Sequence, residues 1–328
     1  MREVALRPVR PDEANALHQL IRDIEIADEQ HWLTTLDEVR DYLRSPNNSP
    51  ENNLRAVWLG DRLVGWGRVT HSPSGQKLER AKLLGGIHPD VRRRGLGTEL
   101  LAWQVDRAGQ RLDSTPHELE AIIIAERYEG QDDRGALFAA AGFEDARWFD
   151  ELQRDLTALP AAIEPDGIAI APWNDSHHES ARQVYNVAFL DHWGTTPRSE
   201  EAWLHDVINE PGHRIDLSFL AFDGDEMVAY CLNGHYADDE AVTGRRDGWI
   251  ESICTLPSHR RRGIASALVT RSLHSFAAAG FNSSMLGVDS ASPTGAGEIY
   301  QRLGFRPLHR GIASIFTIRK GTSPVRMY

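Results

Sequence analysis

Cysteine is nearly absent from this chain. Cys231 and Cys254 are the only two in 328 residues, so a disulfide framework is excluded as the organising device and a reducing compartment fits. Long apolar runs are missing too. No stretch approaches the ~18 residues of a membrane span, and Met1-Arg2-Glu3-Val4 lacks a secretory pattern. The expectation is a cytoplasmic protein with no membrane association. An excess of positive charge is also lacking. Lys and Arg number 36 against 48 Asp and Glu, a net charge of −12, which argues against non-specific nucleic-acid binding. The same charge suits a cationic substrate, though solubility alone would account for it. Metal-ligand spacing is absent as well: His177-His178 are adjacent and point to different sides of any regular element, so no metal site is expected.

What is present is a repeat. Val4-Ala5-Leu6-Arg7-Pro8 reads as a strand, followed by helical sequence from Pro11 to about Ile26. Ile168-Ala169-Ile170-Ala171-Pro172 starts the same pattern, with helix to about Phe189. Two apolar runs flank Gly60-Asp61, and two more flank Asp223-Gly224-Asp225; both read as hairpins. Then comes the strongest match. Pro89, Arg92-Arg93-Arg94-Gly95-Leu96-Gly97-Thr98 and Leu100-Leu101 stand at the same offsets as Pro257, Arg260-Arg261-Arg262-Gly263-Ile264-Ala265-Ser266 and Leu268-Val269. A strand-like run precedes each block (82–87 and 249–256) and helical sequence follows, with Ala265, Val269, Leu273 and Phe276 as the expected buried stripe. Further strands are expected at 121–125 and 285–288. Short helices then end in Ala141-Gly142-Phe143 and Leu303-Gly304-Phe305, glycine suiting a helix C-terminus. Proline and glycine cluster over 159–167, the expected linker, and 45–50 reads as a polar loop. Each copy thus reads β–α–ββ–β–α–β–α–β. The fold class is α/β with a mixed (α+β) sheet, in two tandem domains, 1–158 and 166–328.

Between strand and helix, an arginine–glycine block has a definite chemical use. Glycine lets the backbone turn tightly and approach a ligand. The first helical turn offers unpaired N–H groups at the positive dipole end. Arginines add charge-assisted donors, each worth about 1.5–3 kcal/mol when well placed. A pyrophosphate is the natural guest. One such block has a basic surface turn as its plain alternative; two at matched positions make that alternative weak. No P-loop signature G-x-x-x-x-G-K-[ST] is present, and the glycine pattern is wrong for a Rossmann dinucleotide site.

These blocks resemble the R/Q-x-x-G-x-G/A signature of the GCN5-related N-acetyltransferases, once per half, and Trp249–Phe305 follows the order of that family. The tandem layout resembles the mycothiol synthase branch. The resemblance implies acetyl-CoA as acyl donor. The backbone of Ile253, Cys254 and Thr255 would pair with its pantetheine arm, Arg260 to Ser266 would cradle its pyrophosphate, and Ser292 stands nearest the place of a family asparagine. Arg92 to Thr98 would be the equivalent cradle in the first copy. It also implies that Tyr300, in Glu298-Ile299-Tyr300-Gln301-Arg302-Leu303-Gly304-Phe305, donates the proton to the departing thiolate. The first copy carries Phe138 there, which has no proton to give, so it reads as catalytically degenerate; it either binds a CoA or serves only as a scaffold. His192 and Trp193 would line the acceptor pocket, with plain packing as the alternative for Trp193.

Direct acetyl transfer needs a base for the ammonium. Glu251 is the candidate, expected by period two on the same strand face as Ile253 and Thr255. Asp289 and Asp191 are alternatives, and a structural carboxylate is the other reading of Glu251. Cys254 reads as a small buried hydrophobe rather than a nucleophile. The expected function is acetyl transfer from acetyl-CoA to a primary amine of a small molecule or peptide by direct attack, by a monomer or weak homodimer. A catalytically silent CoA-binding or regulatory module is the competing reading.

Overall fold

The computed structural model describes residues 4–30, 32–44, 49–71, 73, 78–190, 192–193, 195, 197–210, 212–292 and 295–321. Asp191, one alternative base, lies outside them. The strands are β1 (Val4–Arg7), β2 (Leu54–Leu59), β3 (Arg62–His71), β4 (Leu78–Ile87), β5 (Glu120–Tyr128), β6 (Glu144–Asp155), β7 (Ala169–Pro172), β8 (Phe219–Asp223), β9 (Glu226–Gly234), β10 (Asp247–Thr255), β11 (Ser283–Asp289) and β12 (Arg306–Arg319). The principal helices are α1 (Ala14–Ala27), α2 (Leu36–Arg44), α3 (Leu96–Leu112), α4 (Asp132–Ala140), α5 (His178–Ala188), α6 (Ile264–Ala278) and α7 (Ala296–Arg302). The β–α–ββ–β–α–β–α–β order occurs twice, with α2 added after α1 in the first copy. No helix among the described residues is long and apolar enough to cross a membrane.

Two compact units result, one from the Met1–Arg147 and Gly311–Val325 segments, the other from Trp148–Arg310. The expected contiguous division at 158 and 166 differs from this for a definite reason: the two halves exchange their last strands. In the first unit the sheet order is β1-β2-β3-β4-β5, closed by β12, which runs antiparallel to β5 from Gly311↔Tyr128 to Arg319↔Ala121. In the second the order is β7-β8-β9-β10-β11, closed by β6, antiparallel to β11 from Asp289↔Phe149 to Ser283↔Asp155. The β2–β3 and β8–β9 hairpins turn on Gly60-Asp61 and Gly224-Asp225, with each glycine at positive φ (+62° and +59°), the geometry that matches strand twist.

In each unit one adjacent pair is parallel, and that pair makes the cleft. β4 and β5 pair from Leu78↔Glu120 to Leu83↔Ala125, yet β4 continues to Ile87. β10 and β11 pair from Asp247↔Ser283 to Ile250↔Leu286, yet β10 continues to Thr255. Beyond those points the strands part, and one backbone edge of 251–255 is left without a strand partner.

The second unit's core packs α6 on one sheet face and α5 on the other. Ile264, Leu268, Val269, Leu273 and Phe276 of α6 bury against Ile250, Leu286 and Phe305. The stripe begins at Ile264 rather than Ala265, which is half-buried in the first turn where the helix leaves the loop. Side chains as large as Phe276 and Phe305, both fully buried, contribute about 1.5–3 kcal/mol each.

Candidate active site

Both arginine–glycine loops adopt the same backbone. Arg93 and Arg261 sit at φ +62° and +65°, Gly95 and Gly263 at +85° and +78°. Each glycine is the residue before its helix, and the first intrahelical bonds are Glu99 N–H to Gly95 O and Ala267 N–H to Gly263 O. The N–H groups of Ile264, Ala265 and Ser266 are therefore outside the helical ladder, as are those of Leu96, Gly97 and Thr98. No side chain caps either helix, and a Cβ added at Gly263 or Gly95 meets nothing within 4 Å. The surface over the loop is open, as an anion cradle requires.

The three arginines divide their work. Arg260 donates to Thr255 O at 3.3 Å and to Ala188 O at 2.8 Å, tying the loop to the end of β10 and the end of α5. Arg92 does the same, donating to Ile87 O at 2.9 Å and pairing with Asp28, the residue after α1, at 2.6 Å. Arg262 pairs with Asp223 at 2.8 Å, and Arg94 donates to Asp90 O at 3.4 Å. Arg261 and Arg93 are exposed and carry no hydrogen bond or ion pair among the described residues.

Glu251 occupies an irregularity that period-two reasoning misses. The β9–β10 register jumps from Ile250↔Asn233 to Ser252↔Leu232, so Glu251 is the extra residue of a β-bulge. Ile250 and Ile253 consequently face the same core, while Ser252 bonds Tyr230 at 2.9 Å and Cys254 packs in the Tyr230 cluster on the opposite face. The expected grouping of Glu251 with Ile253 and Thr255 on one face fails there. Its side chain instead lies over Gly234, where an added Cβ would come within 2.8 Å of Oε1. Gly234 pairs with Trp249. Oε1 is buried without a hydrogen-bond partner. Burial raises the Glu251 carboxyl to about 7, a hydrogen bond from Tyr236 opposes the rise, and the charges of Glu210 and Asp239 add to it. A carboxyl poised near neutrality is suited to proton transfer at physiological pH. The sequence reading missed Tyr236; a tyrosine in the loop after β9 with two following aspartates was the available signal.

Tyr300 is buried in the α6-side core, its ring edge-on to Phe305 at 6.1 Å. Burial and the neighbouring Cys231 raise its pKa, so the hydroxyl stays protonated through the neutral range. Cys231 pairs with Ile253, so this hydroxyl belongs to the level of the parted strands. No hydrogen bond joins Tyr300 to Glu251. In the first unit Phe138 takes the same place, tilted against Phe143 at 5.8 Å.

His192 accepts its place from a tight turn, bonding Thr195 Oγ1 at 3.0 Å, and Trp193 packs on Phe149 at 6.0 Å. Since Phe149 pairs with Asp289, this turn stands beside the C-terminal end of β11. Asp289 is buried and accepts from Ala291 N–H at 2.9 Å, holding the turn that carries Ser292, whose own N–H donates to Asp289 O. Cys254 is buried, and burial drives its thiol pKa far up, which leaves it unreactive.

With this geometry in view, residues 178–305 match the family model described as Acetyltransferase (GNAT) family. A mycothiol acetyltransferase from Thermobispora bispora is 29% identical over 260 residues, spanning 76% of this chain and 78% of that protein. Over residues 178–305 the chain is similar to the GCN5-related N-acetyltransferases, and it is an acetyltransferase in tandem form. Among solved structures, a GCN5-related N-acetyltransferase from Sphaerobacter thermophilus superposes with a TM-score of 0.77 at 24% identity, covering 98% of this chain and 97% of that one. A tandem GNAT protein from the clavulanic acid biosynthesis pathway superposes with a TM-score of 0.69 at 14% identity, covering 97% and 99%. These two likenesses speak to the fold.

Proposed function

We propose that this acetyltransferase moves an acetyl group from acetyl-CoA to a primary amine, and that the chemistry belongs to the second unit, with the first a degenerate copy. Acetyl-CoA supplies a thioester carbonyl to be attacked and a thiolate that must leave. The chain's residues fit it: an open glycine loop with outward N–H groups suits the pyrophosphate, and the unpaired edge of Ile253, Cys254 and Thr255 suits the amide-bearing arm.

Glu251 takes the proton from the acceptor's ammonium, directly or through water, freeing the nitrogen lone pair to form the new C–N bond. Glu210 and Asp239, whose charges reach Glu251, make the surroundings attractive to a cation. As the C–S bond breaks, Tyr300 holds a hydroxyl proton for the sulfur. The observation that carries the reading is the bulged, pKa-raised carboxyl at the point where β10 leaves β11. The relatives named mycothiol acetyltransferase favour a small-molecule amine of that class over a peptide. A panel of amines, including amino-sugar thiol precursors, assayed with acetyl-CoA for thiol release is the test. Release with at least one small amine supports the reading; acetyl-CoA binding with no release on any acceptor would support a silent module instead.

A further inference from the structure

The two clefts look alike in backbone and differ in what crosses them. α4 follows β5 directly, and Arg134 stands in its first turn. Its guanidinium Nη2 donates to Gly85 O at 2.9 Å. Gly85 lies on β4 beyond Leu83, the last residue paired with β5, so this carbonyl belongs to the free edge of the parted strands. Arg134 is half-buried; burial pulls its pKa down, and Asp28 and Arg92 act on it electrostatically. Those two are the ion pair at the arginine–glycine loop. Arg134 thus reaches from the helix across the gap to the opposite strand, toward the loop.

Counting back from the shared proline, Gly85 corresponds to Ile253. Extending the gap-free match of Phe138 with Tyr300 upstream sets Arg134 against Ala296. Where the second unit has a methyl group, the first has a side chain that takes the strand-edge carbonyl itself. A ligand's amide entering the first cleft would have to displace this charge-assisted hydrogen bond.

We infer that Arg134 closes the groove of the first unit to acyl-CoA, and that the chain takes its acyl-CoA in the second unit alone. The inference rests on reading that second groove as the acetyl-CoA site. The test is calorimetric titration of the full chain with acetyl-CoA. Wild type binds one equivalent. Arg134→Ala gains a second, and adding Gly95→Asp removes the gain. Arg134→Met, which keeps the stem and loses the guanidinium, guards against a folding defect in the alanine variant. Conversely, Ala296→Arg loses binding and turnover with an unchanged circular dichroism spectrum. A gain of one equivalent on removing Arg134 supports the closure, whereas a wild type with none overturns the reading of the second groove. Two equivalents in wild type, or no gain in folded Arg134→Ala and Arg134→Met, overturns the closure.

Discussion

The first and second units share a cofactor-type loop down to the left-handed arginine and glycine, yet they differ at three places around the parted strands. The second has Glu251 on a bulge, Tyr300 on the following helix and Ala296 one turn before it. The first runs β3 against β4 without a register shift from Gly65↔Ile87 to His71↔Ala81. It holds Phe138 and Arg134 at the other two places. By count from the proline, buried Leu83 stands where Glu251 does. If Glu251 and Tyr300 handle protons as proposed, the lesson is that a duplicated fold can preserve its arginine–glycine turn, because that turn also pins strand to helix through Arg92 or Arg260, after those groups have gone. Retention of the motif alone does not mark an active copy.

The sharpest way to break this comparison is at the glycines. Gly263→Asp places a carboxylate at the open loop, and aspartate tolerates the left-handed backbone there better than most residues. The expected outcome is a folded protein with no measurable acetyl-CoA binding by calorimetry, while Gly95→Asp keeps binding and turnover close to wild type. Equal losses in both variants would mean that both loops serve the cofactor.

Tyr300→Phe makes the second unit resemble the first. Turnover should fall by about 10²-fold or more, the scale of a lost general acid, with acetyl-CoA affinity kept, since the ring remains. Steady-state kinetics beside a cofactor titration on one preparation decides it; unimpaired turnover removes the acid role from Tyr300 and the main reason for calling the first copy inactive.

A smaller effect should appear in stability. The Glu251 carboxyl lies at about 7 folded against an ordinary value of 4.5. The folded state therefore holds a proton that the unfolded chain gives up between those values, and stability falls as pH rises from about 4.5 to about 7. Glu251→Gln removes that penalty. Its gain in Tm over wild type should be larger at pH 8 than at pH 5, by about 2–4 °C for each kcal/mol of penalty. A gain independent of pH would show that the carboxyl is not raised.

Much of this was legible in the residues. The matched Pro…Arg-Arg-Arg-Gly blocks specified two strand–loop–helix units, and Phe138 against Tyr300 marked the asymmetry between them. The strand exchange was not legible: each half ends in a long strand after a Gly-Phe pair, and nothing local to 144–155 or 306–319 decides which sheet either one closes. The bulge was hidden because one extra residue in β10 alternates like its neighbours until pairing with β9 is seen. The bonds from Arg260 to Thr255 and Ala188 were not legible either, because they join residues 5 and 72 positions apart. Arg134 was not legible because nothing local to α4 shows that its side chain reaches the Gly85 carbonyl, 49 positions away.

The most direct measurement is the pH dependence of kcat/KM for wild type and Glu251→Gln, with the acceptor's own ionisation subtracted by comparing amines of different pKa. The account predicts that wild type rises tenfold per pH unit below about 7 and levels off above it, independent of the amine. It predicts that Glu251→Gln is slower by about 10²–10⁴-fold and lacks that inflection. A Glu251→Gln enzyme with the wild-type rate and the same inflection would contradict it.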